Sequence, residues 1–198
     1  MRLFIAVNFD DVTKNRLLAI QGRIREQSLK GNFSKPKNLH LTVVFLGEIS
    51  GSLALEINAI IKNAVVSAGI RAFSVNFCRT GCFRHAGKEL WWIAPNGTPE
   101  GTPNGNPNRE TAGEAGALFA IRQEIGKGLD EAGIPFDRRP FKAHITLGRE
   151  IKPSSPIKLP DEVIPIQVKR ISLMRSENIK GALTYTELFG QDLDAKSD

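Results

Sequence analysis

The chain has 198 residues, 41% of them hydrophobic and 24% charged, with a formal net charge of +6. A chain of that length buries a sizeable core without covalent staples, and its two cysteines, Cys78 and Cys82, cannot by themselves complete a zinc site and read as reduced thiols of a cytosolic protein. No apolar run approaches the ~20 residues needed to span a bilayer, and the mild positive charge suits an anionic substrate.

Arg2 to Phe9 is rich in apolar, β-favouring residues and reads as a first strand, too short in its apolar run for a signal peptide, so the chain is expected in the cytoplasm and off the membrane. Asp10 and Asp11 offer N-cap oxygens to a helix whose apolar face is Leu17, Ile20, Ile24 and Leu29. Gly31 to Asn38 carries Gly, Asn, Ser and Pro and reads as a loop. Leu39 to Leu46 is the next strand, closed by Gly47. Ser50 and Ser52 then stand where they would cap a second helix, with Leu53, Ile57, Ile60, Ile61 and Ala64 inward and Gly69 as its stop.

Strands follow at about Ala72–Phe77 and Glu89–Ile93, with Arg84–Lys88, including His85, as the turn between them. Residues 95–116 hold Gly, Pro, Asn, Thr and Glu and almost nothing apolar, which predicts a flexible insertion within one domain. A helix over about Ala117–Ala132 presents Leu118, Ile121, Ile125 and Leu129 and ends at Gly133. Phe141–Leu147, Val168–Met174 and Leu183–Leu188 read as strands, and residues 191–198 as a polar, frayed tail. Interleaved elements without long parallel-type apolar runs predict an α+β fold with a largely antiparallel sheet, one domain over residues 1–190.

Two of the three histidines stand in one repeated pattern, His40-Leu41-Thr42-Val43 and His144-Ile145-Thr146-Leu147, each in an expected strand followed by glycine. Residues i and i+2 of a strand share a face. His40 and Thr42 therefore face one way and Leu41, Val43 and Phe45 the other; His144 and Thr146 likewise oppose Ala143, Ile145 and Leu147. The apolar faces anchor in the core, and the polar faces present two imidazoles and two hydroxyls to a cleft. Hydroxyls donate to phosphate oxygens, one neutral imidazole takes a proton from water, and one imidazolium protonates a leaving ribose oxygen. Such acid–base help contributes ~10²–10⁴-fold, with no metal and no cofactor in the inventory.

These motifs, together with Arg2-Leu3-Phe4-Ile5-Ala6-Val7, Asn38 to Gly47, and Arg139 to Arg149, resemble the 2H phosphoesterase superfamily, most closely the RNA 2′,3′-cyclic phosphodiesterases, also called 2′-5′ RNA ligases. The resemblance implies a bilobal α+β fold. Two mainly antiparallel sheets would be related by pseudo-twofold symmetry around a central groove, with helices on the outer faces. It implies hydrolysis of a 2′,3′-cyclic phosphate to a 2′-phosphomonoester, with reverse 2′-5′ joining in some members. By the family's pattern His40 is the proton donor to the 3′-oxygen and His144 the acceptor from water; the residues alone leave the two equivalent. Ala143 departs from the proline many members carry before the second histidine, and the insertion at 95–116 is unusual for the family.

Thr42 and Thr146 are the candidate phosphate contacts. Lys142, on the face of His144 and Thr146, and Arg149, just beyond, are further candidate contacts. Arg138 and Arg139 read as surface charge and His85 as a solvated turn residue. One of Trp91 and Trp92 reads as core and the other as a base-stacking surface; Phe45, Phe77 and Phe83 read as core, and Tyr185 as either. The expected partner is an RNA or nucleotide with a cyclic phosphate end, met by a monomer. A non-catalytic RNA-binding module and an enzyme for a small nucleotide remain as alternatives.

Overall fold

The computed structural model describes residues 1–95 and 115–193. Strand β1 (Arg2–Asn8) leads into helix α1 (Asp11–Glu26), strand β2 (Ser28–Phe33), strand β3 (His40–Glu48) and helix α2 (Ala54–Ala68). The hairpin of β4 (Phe73–His85) and β5 (Lys88–Pro95) comes next. Helix α3 (Gly116–Glu131) precedes β6 (Ile145–Pro153), β7 (Ile164–Val168), β8 (Arg170–Ile179) and β9 (Ala182–Asp192). The strands form one antiparallel sheet in the order β7-β4-β5-β6-β3-β1-β8-β9, with β2 added to β6. No helix among the described residues is long and apolar enough to cross a membrane.

Two lobes are visible in this order. One is β7-β4-β5-β6 with β2, and the other is β3-β1-β8-β9; among the described residues a single pairing, Leu41 with Ile145, joins them. Each lobe turns one face to a shared core. In β1 that face is Leu3, Ile5 and Val7, all essentially inaccessible, while Arg2, Phe4, Ala6 and Asn8 take the other. Helix α1 begins where Asp10 accepts the Thr13 N–H on Oδ1 at 2.7 Å, a cap worth about 1 kcal/mol. It buries Leu17, Ile20 and Ile24, each contributing roughly 1.5–3 kcal/mol. Helix α2 ends at Gly69, whose φ of 57° places it in the left-handed region that glycine enters without a Cβ clash.

Several expectations change. Leu29 is not on α1 but in β2, 68% exposed, and the expected loop from Gly31 begins as strand. β2 has little apolar alternation because pairing to β6 defines it; a Cβ on Gly31 would stand 2.2 Å from Ile151 Cδ1 of β6. Ser50 and Ser52 bond each other at 2.8 Å rather than capping α2. β4 continues past Phe77 to His85 because it leaves β7 and pairs with β5. β7 is masked in the sequence by Pro165, which a strand at a sheet edge tolerates.

The expected insertion at 95–116 narrows: Pro95 closes β5, Ala115 is fully buried, Gly116 opens α3, and the residues between lie outside those described. The expected tail at 191–198 starts later. β9 runs to Asp192, and Leu193 is buried with its N–H donating to the Lys169 carbonyl at 2.9 Å, leaving 194–198 outside the described residues.

Candidate active site

The Leu41–Ile145 bridge organises the site. Both side chains are fully buried, so their neighbours project to the opposite face of the sheet. Antiparallel continuation from that bridge sets His40 across from Thr146 and Thr42 across from His144, a local twofold arrangement of the two motifs. All four side chains line one cavity of about 950 Å³. His40 opens β3, whereas His144 immediately precedes β6 instead of lying inside it as expected.

Both rings are oriented identically. His40 Nδ1 lies 2.7 Å from the Asn38 carbonyl, and His144 Nδ1 lies 2.6 Å from that of Lys142. A carbonyl only accepts, so each Nδ1 carries its hydrogen, and Nε2 holds the lone pair of the neutral ring. The Thr42 hydroxyl is 3.0 Å from His40 Nε2 and donates to it in that state. Burial pushes both imidazoles below their ordinary pKa. Their carbonyl partners work against this, and the Arg149 guanidinium adds to it at both rings. His144 also depresses His40, as two cations in one cavity must.

Arg149 reaches the cavity through a sequence irregularity. Trp92 pairs with Thr146 and Trp91 with Gly148, so Leu147 is an extra residue that shifts the alternation of β6. The same device follows the first motif: Ala6 pairs with Thr42 and Ile5 with Val44, leaving Val43 extra. Val43 and Val44 are both buried, and Phe45 emerges on the cavity face, correcting its expected place in the core. The residue five beyond each histidine, Phe45 or Arg149, thus lines the cavity.

Lys142 fixes His144 through its carbonyl, and its ammonium adds to the lowering of the His144 pKa, but its side chain is not among the cavity-lining groups. Tyr185, which the sequence leaves open between core and site, lines the cavity; its ring stands edge-on to His40 at 5.1 Å, beside Phe4 at 4.9 Å from both. Trp91 is the buried tryptophan, donating from Nε1 to Glu89 at 2.7 Å, and Trp92 stacks obliquely on Phe83 at 5.5 Å. Phe83, expected in the core, is 44% exposed and edge-on to His144 at 6.1 Å; Phe77 alone of the three phenylalanines is in the core. Arg138 and Arg139 are exposed and paired to Asp130 and Asp137. Cys78 and Cys82 are half-buried free thiols, and burial pushes the Cys82 thiol up. Among the described residues no cluster of His, Cys, Asp and Glu is arranged to hold a metal ion.

Sequence reasoning missed the scaffold behind the second motif. Gln21, buried on the apolar face of α1, donates from Nε2 to the carbonyls of Ser34 at 2.8 Å and Leu147 at 2.7 Å. Ser34 in turn donates from Oγ to the Thr146 carbonyl at 2.8 Å. A glutamine among Leu17, Ile20 and Ile24 was the available signal, since a buried polar group must find partners.

A sequence profile of the 2′-5′ RNA ligase superfamily matches residues 11–180. A curated RNA 2′,3′-cyclic phosphodiesterase of Archaeoglobus fulgidus is 28% identical over 152 residues, covering 75% of this chain and 72% of that protein. One of the same description from Methanothermobacter thermautotrophicus is 23% identical over 95% of this chain and 96% of its own. Among solved structures, a Thermus thermophilus protein superposes with a TM-score of 0.74 at 24% identity, covering all of both chains. E. coli LigT complexed with 3′-AMP superposes at 0.72 and 21% identity, covering 98% of each. At these identities the superpositions speak for the fold.

Proposed function

This chain belongs to the 2′-5′ RNA ligase superfamily, and from that premise we propose that it hydrolyses a terminal 2′,3′-cyclic phosphate on RNA to a 2′-phosphomonoester, using His40 and His144 as acid and base. The observation that carries this reading is the paired orientation of the rings in one cavity, each tied at Nδ1 to the backbone, which leaves Nε2 for proton exchange, at His40 beside the Thr42 hydroxyl. Water attacks phosphorus and gives its proton to His144 Nε2. The bond from phosphorus to O3′ breaks, and the Nε2 proton of His40 goes to that oxygen, leaving a 3′-hydroxyl and a 2′-phosphate. Thr42, Thr146 and Arg149 donate to the phosphate oxygens.

The shape of the cavity supports this assignment of acid and base. From the histidines most of its length runs along β1, β8 and β9, on the side of His40, while Asn32, Phe33, Ser34 and Lys35 wall it on the side of His144; among the described residues, β4 and β5 contribute no lining group. In an in-line displacement the entering and leaving oxygens lie on opposite sides of phosphorus. A nucleoside in the open arm puts O3′ toward His40 and water toward His144. The bound anion also offsets Arg149 and so works against the lowering of the His40 pKa by burial. Reverse joining of a 2′,3′-cyclic end to a 5′-hydroxyl uses the same groups in the same places.

Incubation with a cyclic-phosphate-ended oligonucleotide in EDTA, with the monoester product identified, tests the reading. The 2′-phosphate is the expected product, and His40→Ala or His144→Ala each lowers kcat by about 10²–10⁴-fold. Near wild-type turnover by either variant, or dependence on added metal, overturns the two-histidine mechanism.

A further inference from the structure

The arm of the cavity beyond Tyr185 is built with more charge than one cyclic phosphate uses. Its far end is formed by Arg2 and Arg175 from adjoining strands. Arg175 is held by Glu177 at 2.8 Å, and the other carboxylate there, Glu48, lies 3.6 Å from the Met1 amino group. Arg2 has no carboxylate within ion-pairing distance among the described residues; its guanidinium lies over the Phe45 ring, 5.2 Å from the centroid. Phe45 and Arg149 are the equivalent positions of the two motifs, placed on the cavity face by matching bulges. The cavity thus has an uncompensated guanidinium on each side of the local twofold, Arg149 beside the histidines and Arg2 farther out.

The strand geometry fixes the spacing. Ala6 stands beside Thr42, and Arg2 is on the same face of β1 about 13 Å farther along. A guanidinium reaching back along the strand covers the space a nucleoside's length from the phosphate at Thr42. Tyr185 lies between: both Arg149 and Arg2 act on its phenol, whereas Arg149 alone of the two acts on the histidines.

We infer that the Arg2–Phe45 end of the cavity is a subsite for a second phosphate, the one on the 5′ side of the nucleoside whose cyclic phosphate is cleaved. The inference rests on the phosphodiesterase reading above and makes the preferred substrate a nucleotide that carries both groups. The second phosphate comes either from an internucleotide diester of a longer RNA or from the 5′-phosphate of a single nucleotide. In the diester case the chain continues outward past Arg175 and the tip of the β8–β9 hairpin.

Three substrates separate these cases: a nucleoside 2′,3′-cyclic phosphate, the same compound with a 5′-phosphate, and a dinucleotide ending in the cyclic phosphate. The wild-type kcat/KM is expected to rise about tenfold when the second phosphate is present, mostly through KM. The slope of log kcat/KM against log salt should steepen by about 0.7, the value for one single-strand phosphate contact. Arg2→Gln should collapse both differences, and Arg2→Lys should restore part of the salt slope. A diester-only gain assigns the subsite to RNA, and a gain with the 5′-phosphate alone assigns it to small nucleotides. If the simple nucleoside substrate is turned over but the second phosphate gives no gain, or the gain survives Arg2→Gln, the subsite is refuted and the phosphodiesterase reading stands. If none of the three is turned over, both fall.

Discussion

Replacing Gln21 with leucine should destabilise the fold and slow the enzyme together. The substitution keeps side-chain volume but removes the Nε2 hydrogens that meet the carbonyls of Ser34 and Leu147. Leu147 keeps one partner, the Ser34 N–H at 3.0 Å, so it loses only the net value of one hydrogen bond, about 0.5–1.5 kcal/mol. Ser34 loses the donor to its carbonyl, a further cost of about 1–3 kcal/mol for an orphaned acceptor. The added apolar surface returns part of this, and the expected loss is about 2 kcal/mol. For a chain of this size that is a fall in Tm of about 4–8 °C. Urea unfolding followed by tryptophan fluorescence should show a lower midpoint at unchanged slope. Because Ser34 also holds the Thr146 carbonyl, kcat should fall as well, by about tenfold for a slightly misplaced donor. A variant as stable as wild type would refute the claim that this glutamine ties α1 to the second motif.

Arg149→Gln removes a charge that lowers the pKa of both histidines. Both should rise, moving the pH profile of kcat/KM toward alkaline pH and shifting the imidazole Cε1 proton titrations the same way; an unmoved profile would contradict the placement of Arg149. Burial holds both histidines below their unfolded value of about 6.5, so near that pH the unfolded chain binds more protons than the folded one. Their contribution to stability is therefore complete above about pH 6.5 and declines as pH falls below it, and a double His→Asn variant should flatten that part of the curve in urea titrations. Gly81→Ala puts a Cβ 2.5 Å from Trp92 Cζ2 and should cost about 1–3 kcal/mol by thermal unfolding while disturbing the Phe83–Trp92 stack beside His144. A wild-type Tm would show that the ring moves aside freely.

Local sequence determined the elements whose own residues supply their stability. Helices α1, α2 and α3 follow the 3.6-residue spacing of Leu17, Ile20 and Ile24, of Ile57, Ile61 and Ala64, and of Leu118, Ile121, Ile125 and Leu129, and glycines at 69 and 133 stop two of them. The two-residue period of a strand likewise fixed that each histidine shares a face with its threonine. Tertiary structure decided what depends on a partner strand: β2, polar and shaped by β6; β7, admitted with its proline because it is an edge; and the bulges at Val43 and Leu147 that turn Phe45 and Arg149 inward. It also decided that the two motifs face one cavity, through the bridge between Leu41 and Ile145. Periodicity within a segment reports which way a side chain points relative to its own backbone. Which strand lies alongside, and in what register, is set by burial and backbone pairing summed over the whole chain.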